Sequence, residues 1–94
     1  MTVLNDDEVS GALADLHGWE RAGDEIVREV AFDTFPDAVA FVVRVGFAAE
    51  SADHHPDLDV RYNKVRVALS THSEGGITDK DVDLARAIQG FASS

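Results

Sequence analysis

The chain contains no cysteine, which excludes disulfide bonds and thiolate chemistry. It also lacks a run of about 18 apolar residues, the length that a membrane-spanning helix needs. The acidic segment at residues 1–8 has none of the positive charge that opens a secretory signal. Together these absences predict a cytoplasmic protein without a membrane anchor.

Basic residues are scarce as well. Eight lysines and arginines face eighteen acidic residues, and the formal net charge is −10. A protein that binds the phosphate backbone of a nucleic acid needs a basic patch, whereas the only local basic cluster here is Arg61, Lys64 and Arg66. We therefore expect no nucleic-acid partner, and we expect the acidity to favour solubility.

The length of 94 residues predicts a single domain over residues 1–94. Its 45% apolar content is ordinary for a globular protein. A chain this short buries only about 60–65% of its unfolded surface, so its core is small and oligomerisation would enlarge it.

The first predicted helix runs from Asp6 to about His17. Asn5 is a suitable N-cap, and Glu8, three residues later, is the partner expected in a capping box. Apolar residues recur at helical spacing on one side: Val9, Ala12, Leu13 and Leu16. Gly18 is predicted to end this helix as its C′ residue. His17 is explained by its place at the helix end, where a cation is favoured.

Alternating apolar residues predict four strands. The first two form a hairpin between Trp19 and Asp33, with its turn at Gly23-Asp24. The other two cover Leu58–Tyr62 and Val65–Thr71, and they are separated at Asn63-Lys64 by a tight turn or a bulge. Residues of one parity in the first hairpin are expected to face the core: Ile26, Val30 and Phe32.

The second predicted helix, Phe35–Glu50, is apolar on all of its sides. Thr34 is its N-cap, and Arg44 is the only charged residue between Ala38 and Ala49. A helix that is apolar all round is buried all round, and this short chain has little material to cover it. We expect one face to pack on the sheet and the other on a second subunit. Coverage by the other two helices is the alternative.

The last predicted helix begins after Thr78, its N-cap. Asp79 and Asp81 lie in its first turn, where the helix dipole favours anions. Its apolar side consists of Val82, Leu84, Ala85, Ile88 and Phe91. The element order αββαββα predicts an α+β fold, with a four-stranded antiparallel sheet and three helices packed on one face.

Three of the four histidines lie close together in the sequence. His54 and His55 are adjacent, and Pro56 favours an extended backbone at His55, so the two rings are expected to point to opposite sides. His72 follows the last strand, and a regular strand would direct it away from the core. Because histidine titrates near neutral pH, this grouping predicts proton-transfer chemistry.

Each of these residues also has an ordinary structural interpretation. The adjacent pair can be part of a polar loop, and His72 can be a surface group at a strand end. Glu50 can orient an imidazole or simply be solvated. Asp81 forms a capping-box pattern with Thr78, which explains it without catalysis.

A zinc site built from the three histidines is a further alternative. Against it, adjacent histidines seldom bind one ion, and the sequence has no HxH or HxxxH spacing. Gly75-Gly76 is expected to supply backbone with positive φ rather than a phosphate loop, because no GK[ST] follows. Trp19 is expected in the core or at its edge, where it can also form a wall for a flat ligand.

These residues together resemble the pterin-4a-carbinolamine dehydratase family. That family's pattern is an acidic residue, a His-His-Pro motif, an aromatic residue, a histidine and an aspartate at set intervals, here Glu50, His54-His55-Pro56, Tyr62, His72 and Asp81. The similarity extends through Gly18-Trp19, Phe32-x-x-Phe35, Tyr62-Asn63-Lys64-Val65, Ser70-Thr71-His72 and Leu84-Ala85. It therefore covers nearly the whole chain.

The resemblance implies a hydro-lyase that removes water from 4a-hydroxytetrahydropterin to give quinonoid dihydropterin, in tetrahydrobiopterin recycling. It implies no metal or redox cofactor, and a homodimer or homotetramer formed through the helix Phe35–Glu50. A non-catalytic module on the same fold, binding a pterin or a protein partner, is the alternative, because animal members of the family also dimerise a transcription factor. The intact set of three histidines favours catalysis.

The resemblance also implies roles for individual residues. His54 and His72 are expected as the general acid and base, and His55 as the residue that orients the pterin. Asp81 and Glu50 are expected to orient the rings. The remaining residues expected to bind substrate or to support the catalytic groups are Trp19, Ser70 and Thr71.

Overall fold

The computed structural model describes residues 2–92 as one antiparallel sheet with helices packed against it. The helices are α1 Asp6–Leu13, α2 Phe35–Ala52 and α3 Asp79–Ala92. The strands are β1 Glu20–Ala22, β2 Glu25–Ala31, β3 Asp57–Arg61 and β4 Lys64–Leu69, in the spatial order β1-β2-β4-β3. A short 3₁₀-helix, His72–Glu74, joins β4 to α3. The predicted α+β arrangement is confirmed. No helix within residues 2–92 is both long and apolar enough to cross a bilayer.

The hydrophobic core lies between the sheet and the helices. The two central strands contribute Ile26, Val30, Val65, Val67 and Leu69. The long helix α2 contributes Ala38, Phe41, Val45 and Ala49, and α3 contributes Val82, Leu84, Ala85, Ile88 and Ala92. Burial of each large apolar side chain is worth about 1.5–3 kcal/mol, so this layer is the main stabilising contribution.

Helix α1 begins as predicted and ends early. The amide of Glu8 donates to Asn5 Oδ1 at 2.8 Å, and the amide of Asn5 donates to Glu8 Oε1 at 2.9 Å, so the capping box is confirmed. The predicted end at His17 is wrong, because the helix stops at Leu13. After the helix, backbone hydrogen bonds join residues three apart, as in a 3₁₀ turn. This turn places Leu16 in the core although it lies outside the helix.

Gly18 does not end α1, but it has a separate reason to be glycine. Its φ is 86°, which a side chain rarely tolerates. A Cβ at this position would lie 3.1 Å from Nε of Arg28. Gly18 therefore leaves space for the guanidinium that rises from the central strand β2.

Helix α2 begins at its predicted cap and exposes one apolar side. The amide of Asp37 donates to Thr34 Oγ1 at 3.2 Å. The side opposite the core carries four apolar residues at four-residue intervals, which we name the apolar stripe: Phe35 at 48% exposed, Val39 at 40%, Val43 at 53% and Phe47 at 76%. Coverage of α2 by the other two helices is therefore wrong, and coverage by a second subunit stays a prediction.

The two hairpins have tight turns. The Gly23-Asp24 turn is confirmed, since Ala22 pairs with Glu25. The second turn is tight rather than bulged, and it lies at Tyr62-Asn63, one residue earlier than predicted. Asn63 fixes it, because its Nδ2 donates to the carbonyl of Phe32 at 2.7 Å and its own carbonyl accepts from the amide of Phe32 at 2.8 Å.

Strand β4 ends at Leu69, two residues before the predicted end. Thr71 forms an isolated bridge with Gly76, and the chain between them makes the 3₁₀ turn. Gly75 has the expected positive φ, 76°, whereas Gly76 does not have a positive φ. The alternation of side chains therefore stops before His72, and the argument from strand parity does not apply to it.

Candidate active site

The candidate site lies where α2 ends, β4 ends and α3 begins. Helix α2 ends at Ala52, and the left-handed backbone of its C-cap Asp53 (φ 51°) turns the chain sharply. The amide of His54 then donates to the carbonyl of Ala49 at 3.0 Å, which fixes the residue against the helix end. This turn directs the His54 ring toward the start of α3.

A buried carboxylate joins the three elements. Asp81 is fully buried, and its Oδ1 lies 2.5 Å from Nε2 of His54. Its Oδ2 accepts from Thr71 Oγ1 at 2.8 Å and from the amide of Thr78 at 2.9 Å. We call His54, Thr71, Thr78 and Asp81 the Asp81 cluster. A buried charge is costly unless it is hydrogen-bonded, and both oxygens of this carboxylate are.

His54 is 9% exposed and borders a cavity of about 370 Å³ between α2 and α3. The other residues lining this cavity are Ala48, Ser51, Ala52, Lys80, Asp83, Leu84 and Ala87. The imidazole is therefore held on one side by a carboxylate and faces an open volume. This arrangement suits an acid or a base that exchanges protons with a bound molecule.

His55 points away from the Asp81 cluster, as the extended backbone before Pro56 predicts. Its Nε2 lies 2.9 Å from Oε1 of Glu50, and the two side chains are 61% and 80% exposed. A pair this exposed contributes about 0–1 kcal/mol to stability. The contact with Glu50 therefore serves to orient the His55 ring.

The structure places the remaining predicted residues at different depths. His72 is exposed in the 3₁₀ turn, next to Thr71, whose hydroxyl contacts Asp81. Ser70 is half-buried beside them. Trp19 lies in the core at 4% exposed, so little of its ring is free to wall a ligand. The structure thus brings His54, Thr71 and Asp81 together and leaves Trp19 inside the core.

Sequence reasoning missed two neighbours of the site. Thr78 was predicted only as an N-cap, yet its hydroxyl lies 2.7 Å from that of Thr71. The sequence did contain a signal for this contact, because one threonine lies on each side of the Gly75-Gly76 turn. Lys80 lines the cavity, and its signal was a basic residue in a helix turn where acidic residues are favoured.

Neither a metal-binding cluster nor a second cavity offers a comparable arrangement within residues 2–92. Within residues 2–92, no three His, Cys, Asp or Glu side chains are arranged to hold a metal ion. A larger cavity of about 490 Å³ lies at the opposite ends of α2 and α3, among Phe32, Phe41 and Phe91. It contains no histidine, so its chemistry is not that of the Asp81 cluster.

Comparison with known sequences places this chain among pterin dehydratases. The family model described as Pterin 4 alpha carbinolamine dehydratase matches residues 2–91. A protein of Mycolicibacterium vanbaalenii, provisionally named a pterin-4-alpha-carbinolamine dehydratase, is 56% identical over 91 residues, covering 97% of this chain and 98% of its own. A protein of Mycobacterium avium with the same provisional name is 52% identical over 94 residues, covering 100% of both chains.

Solved structures agree at the level of the fold. One from Brucella melitensis, described as a transcriptional coactivator/pterin dehydratase, has a TM-score of 0.94 and 36% identity, covering 98% of this chain and 100% of its own. Another, described as a pterin dehydratase-like RuBisCO assembly factor in the alpha-carboxysome, has a TM-score of 0.70 and 20% identity. It covers 83% of this chain and 93% of its own. The chain belongs to the pterin-4-alpha-carbinolamine dehydratase family.

Proposed function

We propose that this protein removes water from 4a-hydroxytetrahydropterin and gives quinonoid dihydropterin, as a step in tetrahydrobiopterin recycling. The observation that carries the proposal is the nearly buried His54 ring, held by Asp81 at the wall of a cavity. Family membership supplies the substrate class.

The reaction requires two proton movements. The N5 proton leaves the pterin, a double bond forms between N5 and C4a, and the 4a-hydroxyl departs with a proton as water. Hydroxide is a poor leaving group, so an acid that protonates it and a base that accepts the N5 proton both lower the barrier. One positioned group of this kind is worth about 10²–10⁴ in rate.

We assign these two roles to His54 and His72. His54 is held in place by Asp81, and the carboxylate stabilises the charge that the ring gains when it takes a proton. His72 is exposed and directly follows Thr71, whose hydroxyl donates to the same carboxylate. His55, oriented by Glu50, is proposed to orient the pterin.

The proposed chemistry uses neither a metal ion nor a redox cofactor, because it only moves protons and releases water. The substrate is a neutral bicycle, so its site needs hydrogen-bonding groups rather than positive charge. The net charge of −10 is compatible with such a substrate. We expect turnover to survive dialysis against a chelator.

We also propose that the apolar stripe of α2 binds a second copy of this chain, giving a homodimer or a homotetramer. The stripe exposes two phenylalanines and two valines along one helix face. Large apolar patches on soluble proteins mark interaction surfaces. A second identical helix would cover the stripe with side chains of the same character.

A partner-binding module without turnover is the second candidate function. The exposed apolar stripe favours it, since such a surface can also accept a different protein. The Brucella melitensis protein is described as a transcriptional coactivator as well as a dehydratase. Measured turnover separates the two candidates.

The test is the rate of dehydration of 4a-hydroxytetrahydropterin generated in situ. We expect wild type to accelerate it, and His54→Ala and His72→Ala each to lower the rate about tenfold or more. His17→Ala is the matched control, because His17 is an exposed histidine at the turn after α1. Absence of acceleration over buffer would leave the partner-binding function as the better account. A large loss in His17→Ala would mean that the site is misplaced.

A further inference from the structure

The hydrogen bonds between the side chains of the Asp81 cluster each have a defined donor and acceptor. Thr71 Oγ1 donates to Oδ2 of Asp81, because an ionised carboxylate can only accept. A hydroxyl has a single proton, so in the 2.7 Å contact between the two hydroxyls Thr71 must accept and Thr78 must donate. Thr78 Oγ1 in turn accepts from the amide of Lys80 at 3.3 Å. The Thr78 hydroxyl proton therefore points to Thr71, and the Thr71 hydroxyl proton points to the carboxylate.

The contact between Asp81 and His54 also has a defined donor. Oδ2 of Asp81 already accepts two hydrogen bonds, from Thr71 and from the amide of Thr78. These donors stabilise the ionised form of the carboxylate in its fully buried position. An ionised Oδ1 can only accept, so the proton in its contact with His54 lies on Nε2.

The other ring nitrogen is then left free. A neutral imidazole carries one N–H, so a proton on Nε2 leaves a lone pair on Nδ1. Nδ1 of His54 makes no hydrogen bond within residues 2–92. The one fully buried side-chain nitrogen or oxygen without a partner in these residues is Trp19 Nε1, so Nδ1 of His54 is not fully buried. Nδ1 is therefore reachable by solvent or by a bound molecule.

We infer that Thr71 and Thr78 are positioning residues: their hydroxyls hold Asp81 so that His54 carries its hydrogen on Nε2 and exchanges protons with the substrate through Nδ1. The proton exchange between Nδ1 and the substrate rests on the proposed dehydratase function. When Nδ1 takes a proton, the ring becomes an imidazolium whose charge lies against the carboxylate. Neither threonine needs to touch the substrate for this.

The experiment compares Thr71→Val, which removes the hydroxyl and keeps the size, with Thr71→Ser, which keeps the hydroxyl. Nitrogen NMR of ¹⁵N-histidine-labelled protein reports which ring nitrogen of His54 carries the proton. We expect wild type to show Nε2–H with an unprotonated Nδ1. We expect Thr71→Val to mix the two tautomers and to lower kcat about tenfold, because a hydrogen bond to a charged group is lost. Thr71→Ser should recover most of both properties.

Two results would overturn the inference. One is a wild-type His54 with its proton on Nδ1, and the other is a Thr71→Val protein with the tautomer and kcat of wild type. Thr78→Val is a second variant for the case in which Thr71→Val does not fold. It keeps the hydrogen bond from the Thr78 amide to Asp81 and removes the hydroxyl that donates to Thr71 and accepts from the amide of Lys80. If the tautomer responds as expected but wild type does not accelerate dehydration, the assignment of Nε2–H is supported and the dehydratase proposal fails.

Discussion

At the residue scale, Asp81 serves two parts of the structure at once. Its Oδ2 accepts from the amide of Thr78 and so completes the N-terminus of α3, as the capping-box pattern predicts. Its Oδ1 contacts His54, which lies 27 residues away in the sequence. Asp81 therefore caps the helix and contacts His54 at the same time, and its part in catalysis stays a prediction.

Asp81→Ala should lower the free energy of unfolding by about 1–3 kcal/mol, because it leaves buried donors without an acceptor. Urea denaturation measures this change. Asp83→Ala is the matched control in the same helix, since Asp83 is exposed and its 3.7 Å contact with Arg86 is a surface ion pair. A similar loss in both variants would contradict the role of Asp81 in holding the cluster.

At the element scale, glycines decide where the chain turns. Gly75 ends the 3₁₀ helix in left-handed backbone at φ 76° and lets Thr71 pair with Gly76. Gly76 is close to the N-terminal segment, where a Cβ would lie 2.9 Å from Cγ1 of Val3. The turn that places Thr71 beside Thr78 therefore depends on backbone that other residues rarely adopt.

Gly75→Ala should lower the free energy of unfolding by about 1–2 kcal/mol, because alanine is unfavourable in left-handed backbone. Gly11→Ala, in α1, should instead raise it by about 0.5–1 kcal/mol, because alanine is favoured over glycine in a helix. A Cβ at either position meets nothing within 4 Å, so the two changes differ in backbone conformation alone. If chemical denaturation showed that the free energy of unfolding changes in the same direction in both variants, the left-handed conformation of Gly75 would be contradicted.

At the scale of the whole molecule, charge and apolar surface are segregated. The sheet face opposite the helices pairs Arg66 with Glu29 on one side and Asp59 on the other. Asp59 also accepts a 3.0 Å hydrogen bond from Arg61, and this bond and its charge raise the pKa of the Arg61 guanidinium. The local basic cluster is thus neutralised in part by acidic neighbours, while the apolar stripe of α2 carries no charge.

Val43→Asp should dissociate the proposed oligomer without unfolding the subunit. Val43 is 53% exposed in the single chain, so a charge there is solvated until a second copy covers it. Sedimentation velocity measures the mass, and circular dichroism checks the fold. Val42 is unsuitable for this test, because it packs against the core.

Val60→Asp is the matched control, since Val60 is a valine 38% exposed on the edge strand β3. We expect its mass to equal that of wild type. Dissociation by Val60→Asp, or an unchanged oligomer in Val43→Asp, would place the interface elsewhere.

The local elements of this fold could be predicted from the sequence, because each depends on neighbouring residues. The Asn5 and Thr34 caps, the Gly23-Asp24 turn and the alternation within the strands were all correct. The element ends were less predictable. Leu16 continues the apolar spacing of α1 from a turn outside it, and β4 stops before Thr71 because the backbone there pairs with Gly76.

The sequence by itself determined the order of elements and the histidine pattern that indicates the family, since both are written in residue types and intervals. Only the tertiary structure decided that His54 turns inward to Asp81 while His55 turns outward to Glu50. It also decided that Thr71 and Thr78 meet on the same carboxylate. These contacts join the ends of α2, β4 and α3, and their geometry follows from how the helices pack on the sheet.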